Sequence, residues 1–372
     1  MRKTLWQRIL FQVHLWSGLS LGIYAFLIGA TGSVLVFREE IASWVAPIPD
    51  PPEQGPALRM EEIRAKIQMQ SPGWHVWSLE APTHPGGPWN SYLLQKGQGK
   101  LVAADGQGRL LGERRLENTW LGLADRFHSF LLIPKGGRLY NGIAGLTLLL
   151  VALSGITLWW PKQGEWSSAF RVVRRSNWKS LNYDLHRVGG AFSFVFMILF
   201  CITGAYFTWP GVYRDIASYL LPTKPNPPKV SVSFDGARLP IDTLVRMALQ
   251  FVPDTKLVRV LVPEGRNAPV TVVVAHGPIR DHRTTSQIQL HPQTGTILSV
   301  NDFRQRRAGD HLISWLGPLH TGNFGSFAWK LVWALAGLSF PALFVTGFVM
   351  WCNRVLASRL TAANRSTPSF SR

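Results

Sequence analysis

The chain has 372 residues and a formal net charge of +18, yet 46% of its residues are apolar and only 16% are charged. Spread evenly, that composition would suit roughly two or three soluble domains. The apolar residues instead gather into four runs, Ile9 to Phe37, Leu139 to Trp160, Val188 to Trp209 and Phe327 to Trp351, each near or above the ~20 residues a helix needs to cross a bilayer. The composition therefore excludes an ordinary soluble enzyme. The position of the basic residues, at the ends of the runs, makes a nucleic-acid partner unnecessary.

The first run follows Arg2, Lys3 and Arg8. It is too long for the core of a secretory signal and three more runs follow, so an uncleaved anchor is expected. Arg38-Glu39-Glu40 and a proline-rich linker, Pro47 to Pro52, lead into Met60 to Gln70, where Met60, Ile63 and Ile67 fall at helical spacing. Strands are predicted at His75 to Leu79, Ser91 to Gln95, Lys100 to Ala103 and Arg109 to Glu113, separated by Pro-Gly and Asp-Gly turns. A short apolar segment, Phe127 to Ile133, precedes the second run and is expected to lie at the outer surface or dip into it.

Lys162, Arg171, Arg174, Arg175 and Lys179 crowd the next connection against Glu165 and Asp184. Arg354, Arg359, Arg365 and Arg372 follow the last run. The positive-inside rule then places both termini and the middle loop in the cytoplasm and both long connections on the other side. Trp44, Trp159, Trp160, Trp209, Trp329 and Trp351 flank the runs as interfacial belts.

The second half repeats the first. A proline linker, Pro222 to Pro228, precedes a predicted helix at Ile241 to Phe251 and strands at Lys256 to Val262, Val270 to Ala275, Ser286 to Leu290 and Thr296 to Val300. His14 and His186 open their runs with His-x-x-x-Gly, and Thr31-Gly32 and Thr203-Gly204 follow them at equal spacing. Trp120-Leu121-Gly122 precedes His128 as Trp315-Leu316-Gly317 precedes His320. From those histidines Gly145 aligns with Gly337, Gly155 with Gly347 and Trp159 with Trp351 without a gap. The fold expected is an α-helical membrane protein with four transmembrane helices in a duplicated span–module–span unit, the two modules being small, α+β and extracytoplasmic. Such a parallel repeat implies a pseudo-twofold axis along the membrane normal. The plan is a first transmembrane helix over 1–40, a module over 41–126, an interfacial segment and second helix over 127–161 and a cytoplasmic loop over 162–184. A third helix over 185–212, a second module over 213–318, a fourth helix over 319–353 and a cytoplasmic tail over 354–372 complete it.

With its four runs, two helix-plus-sheet modules and the turn His291-Pro292-Gln293-Thr294-Gly295-Thr296-Ile297-Leu298, the chain resembles the PepSY-associated transmembrane family along essentially its whole length. That family includes iron-regulated bacterial inner-membrane proteins and ferric-siderophore reductases of the ferrioxamine-reductase type. The first module departs from the pattern, with Val102-Ala103-Ala104-Asp105-Gly106 in place of the Pro-x-Thr-Gly turn.

Of ten histidines, the pseudo-axis pairs His14 with His186 near the cytoplasmic face and His128 with His320 near the outer face. Facing imidazoles at one depth suit the axial positions of a haem iron. Gly18, Gly22, Gly189, Gly190, Gly145 and Gly337 are expected to let the flat ring approach the helices. Two such sites would make a dihaem b-type wire, since bis-histidine iron mainly exchanges electrons. His311 competes with His320 for the outer position, although only His320 keeps register with His128. Zinc fits poorly with ligands split between two depths, and a proton relay through His186 and Asp184 is a further alternative. The remaining histidines, His75, His84, His276, His282 and His291, are expected on module surfaces or turns, and Trp74, Trp77 and Trp89 in module cores. Arg280, Arg283, Arg304, Arg306 and Arg307 give the second module a basic tilt that could attract an anionic ferric complex.

Neither Cys201 nor Cys352 lies in a Cys-x-x-Cys-His motif, and no Gly-x-Gly-x-x-Gly or Walker sequence occurs. Covalent haem attachment, NAD and ATP are thus not expected. The resemblance implies a ferric-siderophore reductase in the bacterial inner membrane. It would take electrons from a quinol or a cytoplasmic reductase, contact lipids and bind no nucleic acid. Two other function classes compete: a haem-free regulator whose modules bind or inhibit a peptidase, and a transporter of iron or its chelate.

Overall fold

The computed structural model describes residues 4–52, 56–173, 177–225, 230–233, 235–265, 267–278 and 282–366, without the side chains of 282 and 357–366. Arg2, Lys3, Arg174, Arg175, Asn226, Pro227, Pro228, Arg280 and Arg372 lie outside the described residues, as do the side chains of His282, Arg359 and Arg365.

The chain divides into two compact units. In chain order, α1 (Leu5–Ser20) and α2 (Gly22–Leu35) open the helical unit, and α3 (Arg38–Val45), α4 (Met60–Gln70), β1 (His75–Glu80), β2 (Trp89–Gln95), β3 (Gln98–Ala104) and β4 (Leu110–Arg114) follow. Next come α5 (Trp120–Phe130), α6 (Gly137–Trp159), a single turn α7 (Trp166–Ala169), α8 (Trp178–Thr208) and α9 (Pro210–Leu220). The chain continues through α10 (Ile241–Phe251), β5 (Lys256–Leu261), β6 (Val270–Ala275), β7 (Thr285–Leu290), β8 (Ile297–Asn301), α11 (Ala308–Thr321) and α12 (Phe327–Ser366).

In the helical unit α6, α8 and the 327–356 part of α12 are long and apolar enough to cross a membrane, and α1 with α2 forms a fourth span if the bent pair is counted as one. The first apolar run, expected as one span, is therefore broken, with a bend of 58° between its halves. The cause is local. Thr4 and Gln7 form a capping box that fixes the start of α1, whereas Ser17, Gly18, Ser20 and Gly22 at the junction hold the helix weakly, and such residues are a usual site of kinks. Phe344 of α12 then occupies the space over Gly22, where a Cβ would stand 2.0 Å from its ring. A side chain there would force that ring aside.

At the far end of α6, Trp159 packs edge-on to Trp160, Trp166 and Phe170, folding the following loop onto its own aromatic cluster. Asp184 accepts the Val173 N–H and pairs with Arg187, whose guanidinium also donates to the Arg171 carbonyl. Asp184 thus ties the loop to α8.

The second unit is one antiparallel sheet in the order β4-β3-β2-β1-β5-β6-β7-β8. The two modules, expected as separate small sheets, are fused through β1 and β5 by the pairs Ser78–Leu261, Leu79–Val260 and Glu80–Arg259. The duplication extends to irregularities. Register shifts at Val76/Ser78 and Ala103/Ala104 are matched by shifts at Leu257/Arg259 and Gln289/Leu290. Helix α4 seals its half with Ile63 and Ile67 on Val76, Leu93 and Val102, while α10 seals the other with Leu244, Val245 and Ala248 on Val260, Val272 and Ile288.

The helix starts cap each other. Asp242 accepts the Met60 and Glu61 N–H groups at 2.9 and 3.1 Å, and Glu61 accepts the Ile241 N–H at 3.0 Å and salt bridges from Arg64 and Arg238. Each acid thus satisfies N–H groups that its neighbour's helix start leaves open. The divergent first turn keeps its job by another route. Asp105 accepts the Gln107 and Arg109 N–H groups where His291 accepts those of Gln293 and Thr294, and Gly108 and Gly295 both take φ +73°.

Candidate cofactor site

Within the helical unit, four histidines come together as two pairs. His14 of α1 faces His186 of α8 with ring centroids 6.4 Å apart and planes at 74°. His128 of α5 faces His320 of α11 at 6.1 Å and 48°. The two depths are separated along α8 by the seventeen residues from His186 to Thr203, ~25 Å at 1.5 Å per residue. His311, the competing candidate, belongs to the sheet unit, where its ring packs edge-on to Phe303.

Each histidine is held at Nδ1 by a hydroxyl on another helix. His14 meets Ser154 Oγ at 2.9 Å, His186 meets Thr346 Oγ1 at 2.9 Å, His128 meets Thr31 Oγ1 at 3.2 Å and His320 meets Thr203 Oγ1 at 3.1 Å. A glycine follows every one of these hydroxyl residues. A Cβ at Gly32, Gly155, Gly204 or Gly347 would stand 2.8, 2.9, 3.1 or 3.2 Å from the Cε1 of the seated histidine.

These four glycines seat the imidazoles; of the six expected to let a haem ring approach the helices, Gly145 and Gly337 line the cavity beside the outer pair. Gly22 receives Phe344, Gly337 packs against Ser33 and Gly29, and Gly190 touches Leu343, while nothing stands within 4 Å of a Cβ at Gly18, Gly145 or Gly189. Thr31-Gly32 and Thr203-Gly204 stand out in the sequence as a repeat, whereas Ser154 and Thr346 do not. The gap-free register that aligns Gly155 with Gly347 also aligns Ser154 with Thr346, so the signal was present.

The outer pair lines an apolar cavity of about 320 Å³, with Phe200, Cys201, Trp333 and Phe340 among its walls and Arg38, Arg138 and Asp125 also lining it. The helix ends that carry these histidines are pinned from the spans in matching fashion. Asn141 of α6 donates to the His128 carbonyl at 2.7 Å and accepts from Tyr24 at 2.7 Å, and Trp333 of α12 donates to the Leu319 carbonyl at 2.6 Å.

The other histidines serve the sheet unit. His75 Nε2 meets the Val262 carbonyl at 2.8 Å, and His276 Nε2 meets Ser286 Oγ at 2.6 Å beside Asp302. Burial holds the His276 imidazole below its ordinary pKa, while the Arg304 hydrogen bond holds the Asp302 carboxyl below the usual range. Trp74 and Trp89 pack on the first core, whereas Trp77 is 37% exposed and stacks edge-on against Tyr92. The arginines of the second module are largely engaged in structure. Arg304 pairs with Asp302, Arg306 donates to the Arg283 and Thr285 carbonyls, and Arg283 lies over the Trp315 ring.

Among the described residues no three His, Cys, Asp or Glu side chains gather as a metal cluster. The donor set at each depth is a pair of imidazoles. The family model for the PepSY-associated TM region matches residues 11–354. The chain belongs to that family. The match takes in both modules, every histidine of the two pairs and, but for Ile9 and Leu10, all four apolar runs. No curated protein matches the sequence. A multi-pass membrane protein of the PepSY-associated type follows from the match and from the apolar helices together.

Proposed function

We propose that this protein is a dihaem b-type cytochrome of the bacterial inner membrane that passes electrons outward to reduce a ferric siderophore. The observation that carries the reading is the pair of facing imidazoles at each of two depths. A metal–imidazole bond is ~2 Å, so two imidazoles on one iron place their ring centres ~6 Å apart; the observed separations are 6.4 and 6.1 Å. The donor chemistry also fits haem, because two imidazoles per depth complete an iron whose other four ligands come from the macrocycle.

In this reading His14 and His186 hold the inner haem and His128 and His320 the outer one, and the bound groups supply one-electron transfer. The apolar walls of the outer cavity exclude water, and Arg38 and Arg138 lining it offer cations to the haem carboxylates. Four transmembrane helices, the bent pair counting as one, carry two PepSY-like modules on the periplasmic side. Both termini and the 162–184 loop face the cytoplasm. The electron comes from a quinol or a cytoplasmic reductase. Each one taken up converts Fe(III) in the siderophore to Fe(II), which hydroxamate or catecholate oxygens hold far more weakly, and the metal is released.

The test uses the full-length protein in sealed vesicles with a reduced quinol inside and ferrioxamine plus an Fe(II) chelator outside. Formation of the Fe(II)–chelator complex, lost in His14→Ala and in His320→Ala, is expected. Iron flux without an electron donor would point to transport instead, and active but colourless protein would overturn the cytochrome reading.

A further inference from the structure

We propose that Thr31-Gly32, Ser154-Gly155, Thr203-Gly204 and Thr346-Gly347 are positioning elements that lock the four histidines in the Nδ1–H tautomer and so present each Nε2 lone pair to a metal. A serine or threonine in a helix commonly turns its hydroxyl back to a carbonyl of its own preceding turn. All four do so here. Thr31 donates to Leu27, Ser154 to Val151, Thr203 to Leu199 and Thr346 to Ala342, at 2.7, 2.7, 2.6 and 2.7 Å. With its one proton spent on its own helix, each hydroxyl can only accept from the imidazole, so Nδ1 must carry the proton.

A second contact gives the same answer. At His14 and His128, Nδ1 also lies 3.2 Å from the Val151 and Ile28 carbonyls. A carbonyl oxygen cannot donate, so it too requires Nδ1–H. None of the four Nε2 atoms has a hydrogen-bond partner among the described residues, which leaves that lone pair for a ligand. The glycine completes the seat, because a Cβ there would stand 2.8, 2.9, 3.1 or 3.2 Å from the imidazole Cε1 and crowd the ring.

The seats also assign labour between the spans. In each half-repeat the first span (α2 or α8) seats the outer histidine and the second (α6 or α12) seats the inner one. Each half therefore builds one wall at each depth. The tautomer is a property of the polypeptide alone, while its effect on affinity rests on the haem reading above.

The test has two arms on the full-length protein. In haem-free protein labelled with ¹⁵N-histidine, His14, His128, His186 and His320 are expected to show protonated Nδ1 and bare Nε2, each signal assigned by its loss in a His→Gln variant. In haem-loaded protein, Thr203→Val and Thr31→Val are expected to weaken the outer site by about tenfold, the lower end for loss of one ligand-orienting partner. Ser154→Ala and Thr346→Val should do the same to the inner site alone, and Thr203→Ser should restore the outer. Protonated Nε2 at these histidines, or unchanged affinity in Thr203→Val, would overturn the proposal. If the wild type binds no haem, the cytochrome reading fails while the nitrogen spectrum still decides the tautomer.

Discussion

The inner and outer histidine pairs share one seat chemistry but are carried differently. His14 and His186 stand on helices of the membrane-spanning bundle, so their depth is set by the register of the spans. His128 and His320 stand on α5 and α11, which are not spans themselves; the spans hold the backbone of these helices through Asn141 and Trp333 and the imidazoles through Thr31 and Thr203. Helix α5 also ends on Leu131 and Leu132, both with positive φ (+53° and +59°), where glycine would ordinarily stand. Left-handed leucines cost on the order of 1–3 kcal/mol each and persist where surrounding structure imposes them. The lesson is that the inner site is built into the bundle, and the outer site is assembled against it.

The largest expected effect is on ligation itself. His14→Ala combined with His128→Ala should abolish the b-type spectrum, while either change alone should remove one depth and leave the other, read as haem per chain. Retention of the full spectrum in the double variant would mean that the pairs are not the ligands.

The assembled character of the outer site gives the next test. Asn141→Ala and Trp333→Ala should weaken the outer site by roughly tenfold or more and leave the inner one unchanged, measured by haem retention at each redox potential. Equal losses at both depths would erase the distinction between the pairs.

Gly32→Ala and Gly347→Ala sharpen the comparison further. The added Cβ falls 2.8 Å from His128 but 3.2 Å from His186, so the outer substitution should displace its ring more. Resonance Raman or electron paramagnetic resonance spectra of the two variants would report it.

The smallest effect concerns the sheet unit. Burial alone would raise the Glu61 carboxyl, but hydrogen bonds from Arg64 and the Ile241 N–H, with the charges of Arg64 and Arg238, hold it below the usual carboxylate range. A depressed carboxyl contributes stability that is complete above its unfolded value and is lost as pH falls through its lower folded value. Glu61→Gln should therefore cost about 1–3 kcal/mol at neutral pH and less in acid. Hydrogen exchange at the starts of α4 and α10 should speed up, with both histidine pairs unaffected.

Much of this was legible in the sequence. Both module helices fall where the apolar spacing placed them, and all eight strands lie within two residues of expectation, because alternation and turn residues specify each strand locally. The paired histidines were legible because the chain repeats itself. The fusion of β1 with β5 was not, since edge pairing depends on how the two modules meet rather than on either strand's own pattern. The break at Leu21 was hidden inside a run whose apolar character continues across it. The seats were half visible. Thr-Gly stood out beside its repeat, whereas Ser154 and Thr346, aligned by the same register, differ in identity and are less conspicuous.

The central claim is that each facing pair holds one iron. Haem quantification on purified full-length protein, with a dithionite-reduced minus oxidised spectrum, tests it most directly. Two low-spin b-type haems per chain, one lost with His186→Ala and the other with His320→Ala, is the expected result. Colourless protein that still supports iron use in cells would contradict it.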